Sequence, residues 1–309
     1  NDKETVINSA TFLVIENPST DVARYRAGDL DITNYGLPPE QFAKLQKELP
    51  GEVYITRTLA TYSYELNNKK APFDNANIRK ALNLSLDRNV ITDKVLGQGQ
   101  TPTYVFTPTY IEEGHLIQQP AYSKEPMAQR NEEAIKLLEE AGYSKANPLK
   151  FTILYNTNEN HKKVAIAAAS MWKANTKGLI DVKLENQEWK TYIDSRRAGR
   201  YDAARAGWNA DYNQATTFGN YFLSNSSNNT AKYANPEYDK AIAESYVATD
   251  AEGRAKAYAK AEEILAKDFG IVPIFNYVNP RLVKPYVKGY SGKDPQDHIY
   301  LRNLYIIKH

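Results

Sequence analysis

The stretch KLENQEWKTYIDSRRAGRYDAARAGWNADYN, residues 183–213, holds two strand patterns around one helix pattern. Lys183 to Glu188 reads as a strand and Tyr192 to Arg197 as a short helix. Tyr201 to Trp208 reads as a second strand that runs out into Asn209-Ala210-Asp211. The same alternation continues upstream. Residues 149–155 (LKFTILY) form an apolar strand, and the helix after it carries Val164, Ala168, Met171 and Trp172 on one face. Downstream, helices are expected at about 236–247 and 251–268, with Asp250 as the cap between them. The tail returns to β signals at Ile271 to Val278 and Tyr300 to Ile307.

The opening repeats the pattern. Residues 6–15 (VINSATFLVI) are β-prone. Thr20 to Ala27 reads as a helix with Ser19 as N-cap and Gly28 past its end. Leu30 to Thr33 alternates like a half-buried strand. Pro38-Pro39-Glu40 opens a helix to about Leu49, and residues 53–66 form a long strand. Layers of strand and helix in this order predict an α/β fold and not a helical bundle. The chain starts at Asn1-Asp2-Lys3-Glu4 and runs straight into Val6-Ile7, which reads as the middle of a fold.

Composition narrows the function classes. The chain has 309 residues, 42% of them hydrophobic and 25% charged, which suits one large or two ordinary packed domains. A net charge of +2 with no block of like charge argues against a nucleic-acid partner. No cysteine occurs, which excludes disulfides and thiol chemistry. The 23 Tyr suit strands and cores first, and a surface that grips varied ligands second.

Enzyme motifs are scarce. His115, His161, His298 and His309 form no metal pair at i, i+4, and no Gly-x-Ser-x-Gly elbow occurs. Gly97-Gln98-Gly99 reads as a turn and not as a phosphate loop. No cofactor is expected.

Three segments carry a resemblance. The first is Asn67-Asn68-Lys69-Lys70-Ala71-Pro72-Phe73 with Asn77-Ile78-Arg79-Lys80-Ala81-Leu82 and Asp87-Arg88. The second is Leu154-Tyr155-Asn156-Thr157, ending at His161-Lys162-Lys163. The third is the opening quotation from Asn186 to Asn213. Together with Asn279 to Pro285 and Tyr305 to His309, they resemble the periplasmic oligopeptide-binding proteins of ABC-type importers.

That resemblance implies a two-lobe periplasmic solute-binding fold, α/β in class, with one lobe complete and the other partial. The complete lobe would be residues 60–278, and the partial one residues 1–59 and 279–309. Relatives of this kind are longer, so the chain resembles their C-terminal portion. It is expected to hold short peptides weakly without the N-terminal part. A membrane ABC importer is the expected partner, and the protein is expected to be a periplasmic monomer without catalytic activity. A binder of a murein tripeptide, a dipeptide or haem is the alternative within the superfamily, and a hydrolase the alternative outside it.

The resemblance also implies roles for residues. Asp211 would meet the peptide ammonium. Arg205, Arg196 and His161 would meet carboxylates of peptides of different length. Trp208 and Trp189 would wall side-chain pockets, and Gly207, Asn209 and Ala210 would offer backbone groups. Asn156, Tyr277, Tyr35 and Asn34 would line the cleft. Read without the resemblance, Asp211 is an Asx-turn residue, Arg205 a strand-end salt-bridge partner, Arg196 a solvated helix charge and His161 a helix-start histidine, and the tryptophans belong to the core. Two departures stand out. Ala60 and Asn209 stand where some relatives carry a cysteine pair, and Leu96 stands where relatives carry a lysine.

Overall fold

Strand and helix alternate in a computed structural model that describes residues 5–15, 17–34 and 36–308. The chain divides into two compact units. The first comprises residues 1–58, 96–100 and 277–309, and the second residues 59–95 and 101–276.

In the first unit, α1 (Pro18–Ala27) and α2 (Pro39–Glu48) precede the start of β1 (Val53–Leu66). Ser19 is not the cap of α1. Asn17 accepts the Ser19 N–H at 2.8 Å, because Pro18 takes the first helical position, where no N–H is needed. Gly28 closes the helix at φ 87°, the left-handed position that glycine adopts without strain. Val22, Tyr25, Leu37, Phe42, Leu45 and Leu282 form one small core of this unit. A second core gathers Val283, Val287 and Leu304.

Residues 6–15 are not a strand. Among the described residues none pairs with them, and Val6, Phe12 and Val14 stand 68%, 75% and 96% exposed. β-propensity describes a fit to a half-buried pleated surface, and without a neighbouring strand it dictates nothing. The expected strand at Leu30 to Thr33 is a single bridge between Ile32 and Val283.

The second unit is built on a sheet of order β2-β6-β1-β5-β3-β4. Its elements in chain order are the remainder of β1, α3 (Ala76–Leu84), a π-helical turn at Val90–Leu96, β2 (Thr101–Pro102), α4 (Met127–Glu140) and β3 (Leu149–Asn156). Then follow α5 (Glu159–Asn175), β4 (Ile180–Gln187), α6 (Trp189–Arg197), β5 (Ala203–Asn209), α7 (Thr216–Gly219), α8 (Pro236–Val247), α9 (Ala251–Lys267) and β6 (Ile271–Leu282). β6 runs on into the first unit, where β7 (Val287–Lys288) pairs antiparallel with β8 (Tyr305–Ile306). Only that pair of residues realises the strand expected at 300–307.

β1 pairs antiparallel with β5, whereas β3 runs parallel to both β4 and β5. Asp250 caps α9 by accepting the Gly253 N–H at 2.6 Å. Val164, Ala168 and Trp172 are the buried stripe of α5. One core lies among Phe106, Phe218, Tyr221, Phe222, Tyr238, Ile242, Tyr258 and their neighbours.

One buried cation ties this unit together. Arg88 is fully buried, with its guanidinium 4.0 Å from the centre of the Tyr104 ring. Its Nε donates to the carbonyls of Thr103 and Pro273 at 3.0 and 2.7 Å. Its Nη1 donates to those of Asn83 and Leu86 at 3.0 and 3.3 Å. Burial lowers its pKa, and the ring of carbonyl oxygens is what makes the charge tolerable there. Arg88→Met would leave these carbonyls buried without donors, each at a cost of about 1–3 kcal/mol. Urea unfolding should show a loss of at least about 3 kcal/mol, and Arg88→Lys should fail to restore it, because lysine lacks the planar fork.

Candidate functional site

A strand alternates its side chains between two faces, and β5 puts different chemistry on each. Opposite β1, the register sets Arg205 against Tyr64, Gly207 against Tyr62 and Asn209 against Ala60. On the other face, Ala204 meets Glu65, Ala206 meets Ser63 and Trp208 meets Thr61. Ala60 and Asn209 are therefore direct cross-strand partners. Here the backbone ladder alone joins the strands at the place where the resemblance implies a disulfide in some relatives.

On the Arg205 face, aromatic rings surround a pair of bases. The Arg205 guanidinium lies 5.2 Å from the centre of the Tyr62 ring, and its Nη1 reaches Asn156 Oδ1 at 3.5 Å. His161 enters from the first turn of α5, where Asn158 caps the helix by accepting the His161 backbone N–H at 3.1 Å. Its ring centre lies 5.6 Å from that of Tyr62, which stacks on Phe275 at 4.7 Å. Burial, and then the nearby positive charge of Arg205, hold the His161 pKa well below the usual imidazole value. The imidazole is therefore neutral at pH 7. A guanidinium, an imidazole that can donate or take up a proton, and the positive end of α5 together set up a local positive potential.

The opposite face ends in a turn. Trp208 packs edge-on against Tyr221 at 4.9 Å, and its Nε1 donates to Thr217 Oγ1 at 3.1 Å. Asp211 lies exposed two residues past β5, its carboxylate 3.3 Å from the same hydroxyl. Gly207 and Ala210 are partly buried and Asn209 is exposed, so the chain from 207 to 211 reaches the surface.

Arg196 belongs elsewhere. It is buried and forms an ion pair with Glu65 at 2.9 Å, while donating to Tyr221 Oη and Thr230 Oγ1 at 3.1 and 3.0 Å. Tyr221 in turn donates to Glu65 at 2.7 Å. Glu65 is fully buried, and a buried carboxylate requires a partner. Arg205 and Arg196, near neighbours in sequence, thus lie on opposite faces of one sheet. The structure brings Arg205, His161 and Asn156 together, and it brings Trp208 together with Asp211. It does not bring Arg196 to either group.

Trp189 is 55% exposed at the start of α6, stacked on Tyr192, whose hydroxyl donates to the Arg205 carbonyl. In the first unit, Asn34 is exposed with its N–H 3.4 Å from Asp21 Oδ2, and the Tyr277 carbonyl accepts from Thr58 Oγ1 at 3.1 Å. Tyr35 lies outside the described residues. Leu96 is buried at 5% exposure, so its position offers no cation.

Tyr62, Glu65 and Thr217 were missed by the sequence reading. Tyr62 and Glu65 sit in the expected strand, and alternation could have put them on opposite faces. Thr217 carried no signal. A hollow of about 940 Å³ beside Tyr122, Phe269 and α9 contains none of the candidate residues. Among the described residues, no group of three or more His, Cys, Asp or Glu could hold a metal ion.

The depressed His161 pKa has a checkable consequence. A base whose pKa is lowered by folding destabilises the folded state as the pH falls through its ordinary value of about 6.5. NMR titration should place the His161 midpoint below that value. Arg205→Met should raise it part of the way, because burial is the larger cause. The unfolding free energy should fall on acidification below about pH 6.5, and His161→Asn should flatten that part of the curve.

A family model described as "Bacterial extracellular solute-binding proteins, family 5 Middle" matches residues 1–230. The chain is 96% identical over all 309 residues to the periplasmic oligopeptide-binding protein OppA of Haemophilus influenzae. It is 53% identical to the protein of the same name from Salmonella typhimurium, over 99% of this chain. It is 44% identical to the periplasmic murein peptide-binding protein MppA of Escherichia coli, again over 99% of this chain. The chain spans 57% of the length of the first of these relatives and 56% of the other two. A crystal structure of H. influenzae OppA in complex with RPPGFSPFR superposes with a TM-score of 0.94 at 95% identity, covering 99% of this chain and 60% of that one. The structure of E. coli MppA superposes at 0.92 with 43% identity, covering all of this chain and 60% of that one. The relatives are thus solute-binding proteins, the α/β fold is theirs, and the chain belongs to family 5 of the bacterial extracellular solute-binding proteins.

Proposed function

We propose that the chain serves in the periplasm as a receptor that captures short peptides and delivers them to a membrane ABC importer. In this reading it changes no covalent bond. The observation that carries it is the placing of opposite charges along β5. Arg205 and His161 form a basic site beside the strand, and Asp211 stands past its C-terminal end. Within the strand, the four residue steps from Arg205 to Asn209 alone span roughly 13 Å at about 3.3 Å per residue, and Asp211 stands two residues farther along the chain. An extended peptide of a few residues is of the same order of length and carries an ammonium at one end and a carboxylate at the other.

The two ends of a peptide are among the features all peptides share, so a receptor that tolerates many sequences has reason to bind them. Trp208, Gly207, Asn209 and Ala210 would serve the backbone and side chains between. The lobes would be residues 60–278 and residues 1–59 with 279–309. Arg196, neutralised by Glu65 and hydrogen-bonded to Tyr221, would act at one remove by holding the ring against which Trp208 packs.

Amidating the peptide carboxylate tests the basic site. Removing one partner of a desolvated charge pair costs about 2–5 kcal/mol. Arg205→Met should therefore weaken a free-acid peptide by tens- to thousands-fold and its C-terminal amide by far less, measured by calorimetry. Equal losses for both would remove Arg205 from the role.

Length should separate the two bases. Arg205→Ala should harm shorter peptides most, and His161→Ala longer ones, because the two groups enter from different elements. Uniform losses across lengths would mean a general basic field. Recovered peptide should also be chemically unchanged by mass spectrometry after long incubation, and cleavage would favour a hydrolase.

A further inference from the structure

A hydroxyl group has one hydrogen to donate and two lone pairs to accept with. The Thr217 hydroxyl uses all three. It accepts the indole N–H of Trp208 at 3.1 Å and the backbone N–H of Asp211 at 3.3 Å, and it donates to Asp211 Oδ2 at 3.3 Å. Thr217 itself is 4% exposed, whereas Asp211 is exposed. A buried group in α7 thus holds both the backbone and the carboxylate of a surface acid six residues before it, and ties them to the ring of Trp208, nine residues before it near the end of β5.

The location matters for what the acid can do. An exposed aspartate on a turn samples several rotamers, and each costs entropy to select on binding. Fixing its backbone N–H and one carboxylate oxygen removes much of that freedom in advance. The second oxygen is then aimed by the same contact. Trp208 is likewise fixed, by Thr217 at its nitrogen and by Tyr221 at its ring.

We propose that Thr217 is a positioning residue for recognition of a ligand's primary ammonium group, acting through Asp211 and Trp208 and not by touching the ligand. This rests on the reading of Asp211 as the ammonium partner. It adds that the acid is preorganised by one buried side chain, so that discrimination between a free and a blocked amine depends on the Thr217 hydroxyl.

The test compares Kd for one peptide with a free amino terminus and for its N-acetylated form. Calorimetry is run on the chain, completed with the remaining part of the H. influenzae relative if the chain alone binds neither peptide. Thr217→Val keeps the shape and removes the hydroxyl. It should reduce the preference for the free amine by about tenfold, the scale of one or two hydrogen bonds to a charged group, while the acetylated peptide changes less than about twofold. Thr217→Ser should restore the preference. In the chain without ligand, the Trp208 indole N–H should exchange faster in the valine variant.

Equal weakening of both peptides by Thr217→Val, or no rescue by serine, would reduce Thr217 to a structural role and overturn the inference. Asp211→Asn separates the two levels of the argument. If it leaves the amine preference intact, the assignment of Asp211 fails. If it abolishes the preference while Thr217→Val leaves it intact, the assignment of Asp211 stands and the role of Thr217 fails.

Discussion

The antiparallel pairing of β1 with β5 is the constraint on which the rest of the structure depends. Side chains alternate along a strand, so a register shifted by one residue would exchange the two faces. Arg205 would then enter the interior that Glu65 and Arg196 occupy, and Trp208 would leave Tyr221. The observed pairing, from Ala60 against Asn209 to Leu66 against Ala203, keeps each in place. No cysteine reinforces it in this chain. What fixes the register is the difference between the faces. One carries Tyr62 and Tyr64 into aromatic packing with Phe275 and Trp172, and the other carries Glu65 to a buried cation, Arg196, and to the Tyr221 hydroxyl.

The two arginines illustrate how burial and pairing divide labour. Arg196 is enclosed with Glu65, Tyr221 and Thr230, and its charge is spent within the fold. Arg205 is partly exposed on an aromatic platform beside a histidine whose own protonation it opposes. A site of that kind is unfavourable for a second positive charge and favourable for an anion. Arrival of a carboxylate would relieve the repulsion and allow His161 to take up a proton. Asp211, past the strand's end, is by contrast an acid at the surface whose backbone N–H and carboxylate both meet the Thr217 hydroxyl.

Much of this was legible in the residues. The strand at 53–66 and the helix at 236–247 follow directly from apolar period and capping chemistry. Asp250 was readable as a cap because an aspartate before a helical run has one common use. The resemblance led to Arg205, His161, Asn156, Trp208 and Asp211 together, and the structure gathers them into two groups at β5. Three things were not legible. Residues 6–15 have the composition of a strand, and strand formation depends on a partner that composition does not name. Arg196 looks like Arg205 in sequence, and only the pairing of β1 with β5 reveals that Glu65 claims it. Thr217 has no motif at all, because a hydroxyl's role is set by what converges on it in space. Segments such as Asn67 to Arg88 proved architectural: Arg79 and Arg88 spend their donors on backbone carbonyls.

The central claim is that β5 gives a bound peptide a direction, with the amine toward Asp211 and the carboxylate toward Arg205 and His161. Paramagnetic tagging of the ligand tests this most directly. Two peptides of one sequence would carry a nitroxide on the side chain next to either the amino or the carboxyl terminus, and amide line broadening in the protein would be recorded by NMR. The account predicts that the amino-side tag broadens residues around 209–213 and the carboxyl-side tag those around 156–161. Broadening of the same residues by both tags, or the reverse assignment, would contradict it.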